Sequence, residues 1–277
     1  MLSDKLYYRD FVFELNITEL CNLQCPFCPR AQDYPNQNLH MSMDTVKEII
    51  SQVEGFLDRY QDVNSVVIDI TGRGEPTLHK NFRKLMKEFI AFSQRHPRVS
   101  LKCNTNAYKF DRYYDLFQQV DTMSINLYHN FSKEEFFEFK EKYQHNKNFL
   151  IHYRKLGEEI IQGSKKKVDY NNRSGSILIP VTEYGMPNEK RCHKPFQGIM
   201  IDWNGDYNLC CNDWDPVIAL NNIYKSPIVE YFVNDPLLNE YRDKLKVGDR
   251  SMTPCDFCNS NSARQKGFIE WVNNERV

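Results

Sequence analysis

The 277-residue chain sets 36 Lys and Arg against 37 Asp and Glu, a formal net charge of −1. That balance gives no electrostatic case for nucleic acid or an anionic membrane, and no apolar run approaches the length of a bilayer span, so a small-molecule partner is expected. Nine cysteines follow a start, Met1–Asp10, that lacks the apolar stretch of a signal peptide, a pattern that predicts metal ligands in a reducing cytoplasm rather than disulfides.

The first element is an apolar run of strong β-propensity, Phe11–Thr18, ending in a loop that holds Cys21, Cys25 and Cys28. After an irregular polar stretch, Ser42 caps an amphipathic helix with Val46, Ile49, Ile50, Val53 and Leu57 at helical spacing. Strands are predicted from Asn64 to Thr71, Arg98 to Asn104, Asp121 to Asn126 and Asn148 to Arg154. Helices near 81–95, 111–119 and 132–143 separate them. This alternation implies a parallel sheet. A sixth strand is expected at Ser176–Pro180, too few for a closed eight-strand cylinder.

Leu156–Gly175 reads as irregular, with Lys165–Lys167 as a solvated loop. From Val181 the pattern turns to short strands and paired cysteines, which places a domain boundary near Thr182: residues 1–182 and 183–277. Asn204-Gly205 predicts a hairpin that returns Cys210 toward Cys192, and a last helix is expected over about 260–273.

Three thiolates on one short loop can hold three irons of a [4Fe–4S] cube and leave the fourth bare. Zinc needs a fourth ligand, and the nearest candidate, His40, lies twelve residues after Cys28. With Phe27 before the last cysteine, the loop resembles that of the radical S-adenosylmethionine (SAM) superfamily. The resemblance implies a (β/α)6 partial TIM barrel whose free iron takes SAM, with Phe27 beside the adenine. Gly72-Arg-Gly-Glu-Pro76, after the second strand, resembles the superfamily's Gly-Gly-Glu-Pro loop, with Arg73 as the departure. On that likeness Gly72, Gly74, Glu75 and Pro76 meet the SAM methionyl group. Asn104, Asn106, Ser124, Asn126 and Arg154, at later strand ends, are candidates for its ribose and carboxylate.

Cys192, Cys210, Cys255 and Cys258 form a second set of four thiols, for which zinc and iron are near-equal choices on ligand chemistry. Their order resembles the twitch form of the SPASM domain, which carries one auxiliary [4Fe–4S] cluster. It is most similar to the aminocyclitol (2-deoxy-scyllo-inosamine) dehydrogenase family of butirosin biosynthesis. By that likeness Arg173 contacts substrate. The late cysteine spacing and the end of the chain fit the molybdenum-cofactor cyclase less well. Cys103 and Cys211 are left over and read as packed thiols.

The resemblance therefore implies an oxidoreductase of the dehydrogenase type, acting on a small carbohydrate-like substrate with the auxiliary cluster as electron acceptor. A flavodoxin or ferredoxin would serve as reductant. A peptide- or protein-modifying radical enzyme and a non-catalytic iron–sulfur or zinc protein are the alternatives. His129, His152 and Glu183 lie where loops could present a base, and none is assigned.

Overall fold

The computed structural model describes residues 10–155, 158–161, 164–166, 172–177, 190–214, 218 and 220–260. Strands β1 (Asp10–Asn16), β2 (Ser65–Thr71), β3 (Val99–Thr105), β4 (Thr122–Leu127) and β5 (Phe149–Lys155) pair in sequence order, all parallel. A hairpin of β6 (Glu158–Ile161) and β7 (Ser164–Lys166) extends the sheet antiparallel beyond β5. On the other flank, β8 (Gly198–Ile201) lies parallel to β1 and carries the antiparallel β9 (Tyr207–Asn208). The order β7-β6-β5-β4-β3-β2-β1-β8-β9 has two free ends, as a partial barrel requires.

Alternation along the strands decides what each face does. Phe11, Phe13 and Leu15, then Val66, Ile68 and Ile70, then Met123, Ile125 and Leu127 are fully buried in the hydrophobic core. They pack under the helices α1 (Met43–Arg59), α2 (Phe82–Arg95), α3 (Tyr114–Phe117) and α4 (Lys133–Tyr143). Ser42 caps α1, its hydroxyl accepting from the Thr45 amide, and Ser132 closes a capping box on α4 with Glu135. The intervening positions, among them Glu14, Asn16, Asp69, Lys102, Asn104, Asn126 and His152, put charge and amide on the opposite face. Asp69 there pairs with Lys102 at 2.7 Å and accepts from Asn104 at 2.7 Å.

The C-terminal helices α5 (Lys194–Gln197), α6 (Ile228–Asn234) and α7 (Pro236–Lys246) close over β1 and α1. Phe232 meets Phe11 edge-on at 4.9 Å, Tyr207 stacks on Tyr231 at 3.8 Å, and the Gln52 side chain accepts from the Ile228 amide. The late cysteine region is therefore joined to the barrel by one sheet and one core.

Three expectations change. Ser176 and Ile177 form a turn and bend, residues 178–180 lie outside the described residues, and the sixth parallel strand is β8 instead. Its four residues, Gly198-Ile-Met-Ile, are too short to announce themselves as a barrel strand. Lys165 and Lys166 belong to β7 rather than to a loop, because pairing with β6 supplies partners that a lysine run alone does not advertise. The segment expected as a helix over 111–119 is a 3-10 turn, Asp111–Tyr113, followed by the single turn of α3. The expected final helix over 260–273 falls outside the described residues apart from Ser260.

Candidate active site

At the carboxyl ends of β1 to β4 a cleft opens with about 700 Å³ of free space, its open mouth included. Cys21, Cys25 and Cys28 line it together with Phe27, Gly72, Arg73, Gly74, Glu75, Pro76, Asn104, Asn106 and Asn126. Arg173 also reaches this wall. Ser124 and Arg154 do not line the cleft. Ser124 is buried on β4, and the charge of Arg154 bears on Tyr128 of the cleft wall.

The cysteine loop is held open by its neighbours. The Cys28 amide donates to the Cys25 carbonyl at 2.8 Å, and the Asn36 amide group bonds both the N–H and the C=O of Cys21. Burial pushes the Cys25 thiol up to about 12, and Cys28 and Cys21 add to the rise, so the three sulfurs feel one another. Loading a metal on such thiols must expel their protons. Among the described residues no three Cys, His, Asp or Glu side chains gather around a single ion. The thiols line a cleft instead, and a cube asks only that each sulfur reach a different iron. Asn126 Oδ1, on a residue of this wall, is buried without a hydrogen-bond partner, an acceptor left for a polar occupant. The donor set fits a SAM-bound cube.

Two glycines of the second loop are required by contact. Gly72 has φ +120° and a Cβ there would strike Asn16, while a Cβ on Gly74 would run into the Thr18 carbonyl oxygen. Gly74→Ala is expected to shift this loop and lower SAM affinity about tenfold, ~1.4 kcal/mol, with both clusters intact. Equilibrium dialysis on the reconstituted protein reads it, and unchanged affinity would refute it.

Glu75 is spent on the protein itself. Its Oε1 accepts from Thr77 N (3.1 Å), Thr77 Oγ1 (2.7 Å) and Thr105 Oγ1 (2.6 Å), and its Oε2 from Asn106 N (2.7 Å). Burial raises its pKa, and these bonds work in the opposite direction. Asn106 in turn donates to Asn22 in the cysteine loop at 2.9 Å. The carboxylate thus braces this glycine loop against β3 and, through Asn106, against Asn22 of the cysteine loop.

Arg73, the departure from the double glycine, is a buried junction. Its amide donates to Asn16 Oδ1 at 2.9 Å. Its guanidinium donates to Glu19 Oε1 at 3.0 Å, to Asp202 Oδ2 at 2.5 Å and to the Asp213 carbonyl at 3.1 Å. Asn16 bridges Glu19 and Asp202 at 2.7 and 2.6 Å, and Arg30 meets Glu19 from the other side. Burial alone would favour a neutral Arg73, but Asp202, Tyr34 and Glu19 outweigh it and hold the guanidinium charged. Two arginines face two carboxylates, so the network is neutral as a whole.

Cys192, Cys210, Cys255 and Cys258 line one further cavity with about 380 Å³ of free space, beside Arg250, Leu245 and Ser174. Burial, with Cys192 and Cys258 beside it, pushes the Cys255 thiol up to about 12, and all four thiols line this one cavity. Arg250 ties the walls together by donating to the Cys258 carbonyl at 3.0 Å and to the Lys190 carbonyl at 2.5 Å. Four thiols lining one cavity fit a cube with a thiolate on every iron. Cys103 is fully buried, whereas Cys211 lines a separate small cavity with Glu14, Lys194 and Met200, its thiol pushed up to about 11 by burial.

A radical SAM superfamily model matches residues 15–161, just over half of the chain. The chain belongs to the radical SAM superfamily. An iron–sulfur cluster-binding (SPASM) domain model matches residues 192–259. With these domains come SAM, a SAM-binding [4Fe–4S] cluster and an auxiliary [4Fe–4S] cluster. Among solved structures, BtrN in complex with AdoMet and 2-DOIA is similar over 96% of this chain and 99% of its own, with a TM-score of 0.72 and 19% identity. Streptococcus suis SuiB bound to its precursor peptide SuiA follows at a TM-score of 0.52 and 15% identity, over 97% of this chain and 73% of that one. Likenesses at these identities speak for the radical SAM fold. By sequence, GTP 3′,8-cyclase of Actinobacillus pleuropneumoniae (serotype 5b) is 28% identical over 122 residues. That match takes in 44% of this chain and about a third (33%) of the cyclase's own length.

Tyr128, Trp214 and Arg30 escaped the sequence reading. The Tyr128 ring stands 5.4 Å from Phe27 on the cleft wall, and Trp214 reaches the same wall from beyond Cys210. Tyr128 follows a strand end and could have been suspected there. Nothing local marks Trp214, which the chain brings in from the auxiliary region.

Proposed function

We propose that this radical SAM enzyme is a dehydrogenase that removes two electrons from a small, polar, carbohydrate-like substrate. The observation that carries this is the pairing of two cysteine cavities, one a cleft lined by three thiols and the other lined by four; four thiolates would leave a cube no vacant iron. When bound, SAM on the first cube would supply hydrogen-atom abstraction from a substrate carbon, and the second cube would take up the one electron left after the hydroxyl proton departs to solvent. Cys21, Cys25 and Cys28 would hold the first cube, and Cys192, Cys210, Cys255 and Cys258 the second.

The chain's own groups set the rest. Gly72 and Gly74 allow the loop backbone to approach SAM, Phe27 and Tyr128 flank the adenine, and Asn104, Asn106 and Asn126 offer amides to the ribose. Ser124 and Arg154 would act from behind this wall, Arg154 through its field on Tyr128. Arg173 would orient a hydroxyl- or amine-bearing substrate at the cleft mouth. Behind Asn104 of the cleft wall, Asp69 accepts from Asn104 and from Lys102. The likeness to BtrN, whose complex holds 2-DOIA, supports a ring alcohol as substrate class. A small reductant protein would deliver the first electron.

The test is a panel of aminocyclitols and sugar alcohols, deuterated at the carbinol carbon, incubated anaerobically with reconstituted enzyme, SAM and dithionite. Deuterium in 5′-deoxyadenosine and one ketone formed per SAM consumed are expected. Deuterium transfer with a redox-neutral product would overturn the dehydrogenase reading.

A further inference from the structure

The short segment 172–175 joins the two cysteine cavities. Arg173 lines the SAM cleft, while its neighbour Ser174 lines the auxiliary cavity. Both residues have left-handed backbone, φ +48° and +52°, which non-glycine residues adopt only when their surroundings enforce it. The surroundings are Asn172 and Asn259. The Asn172 amide donates to Asn259 Oδ1 at 2.8 Å, and the Asn259 amide returns to Asn172 Oδ1 at 3.2 Å. Asn172 Nδ2 also donates to the Phe257 carbonyl at 2.6 Å, and its own carbonyl accepts from Gly175 and Ile177. Phe257 and Asn259 flank Cys258, the last auxiliary thiol. On the far side, Arg173 donates to Asn212 Oδ1 at 3.1 Å, two residues after Cys210.

We propose that Asn172 and Asn259 form a clasp through which the loop carrying the last auxiliary cysteine positions Arg173 on the wall of the SAM cleft. The guanidinium so held shares the cleft wall with Cys28 and Tyr128. A cation fixed beside a thiolate-ligated cluster favours its reduced form. Loosening the clasp therefore makes the SAM-binding cluster harder to reduce, although neither asparagine touches it. Asn172 and Asn259 are positioning residues that act through Arg173.

The experiment is a redox titration of the reconstituted holoprotein, followed by electron paramagnetic resonance. It compares the wild type with Arg173→Ala, Asn172→Ala, Asn259→Ala and the double variant Arg173→Ala/Asn259→Ala. Each single variant is expected to shift the SAM-binding cluster to a more negative potential, and the double variant to shift it no further than Arg173→Ala alone. Additive shifts would overturn the clasp, because they would mean that Asn259 acts by another route. Two other results would overturn it: a wild-type potential in both asparagine variants, or loss of auxiliary iron in both with the first cluster's potential unmoved. The readout needs no substrate, so failure of the clasp and failure of the dehydrogenase reading are separate results.

Discussion

Replacing Cys21, Cys25 and Cys28 together with alanine is expected to abolish 5′-deoxyadenosine formation and halve the iron, from about eight to about four per chain. These thiols line the SAM cleft and no auxiliary thiol does, so the remaining iron must sit with Cys192, Cys210, Cys255 and Cys258. The reciprocal replacement of those four is expected to leave about four irons and to retain SAM cleavage while forming no oxidised product. Iron assay and chromatography of the nucleoside product check both. A first variant that still cleaves SAM, or that keeps the full iron load, would contradict the assignment of the two sets.

The second large effect is at Arg73. Arg73→Gly restores the double glycine that the superfamily loop has at this point. Even so, it is expected to destabilise the protein by about 3–5 kcal/mol, the usual consequence of removing one partner from a buried ion pair. Glu19 and Asp202 lie with side chains only 5% and 9% exposed and would lose their main counter-charge. Arg30 alone cannot serve both, because its contacts run to Glu19 and to the Arg73 and Pro35 carbonyls. Adding Asp202→Asn should recover part of the loss, since an amide can sit beside Asn16 without a buried charge. Denaturant unfolding of the reconstituted variants reads the difference. A single variant as stable as the wild type would show that water or rearrangement satisfies the carboxylates.

Why an arginine stands where glycine would do is answered by its partners. Asp202 opens the β8–β9 turn of the auxiliary region, Asp213 follows Cys210, and Glu19 leads into the cysteine loop. One side chain fastens the SAM loop to both cysteine regions. This polar junction adds to the β1–β8 pairing and the Phe11–Phe232 packing that join the late cysteine region to the barrel, and it lies beyond what a loop motif can show.

The barrel and its cleft were legible because their signals are local. Apolar runs such as Val66 to Ile68, the thiol spacing of Cys21 to Cys28 and a glycine pair after a strand each carry their chemistry within a few residues. What stayed hidden depends on pairings across long stretches of chain. The sixth parallel strand was sought at Ser176–Pro180, next in order after β5, but is supplied by β8 on the far side of β1, where Val12 pairs with Gly198. Lys165 and Lys166 read as solvated because strand pairing does not show in a charge run. Trp214 reached the SAM cleft, and Asn172 met Asn259, only through tertiary closure. Glu75 was ambiguous in sequence, and its four hydrogen bonds from Thr77, Thr105 and Asn106 show it as a brace.

The claim beneath all of this is that the cysteine loop leaves one iron for SAM. Electron paramagnetic resonance of the dithionite-reduced, anaerobically reconstituted protein, recorded with and without SAM, tests it most directly. The spectrum of one cluster is predicted to change on adding SAM while the other stays constant, with 5′-deoxyadenosine released on standing. Spectra indifferent to SAM, with no nucleoside formed, would contradict it.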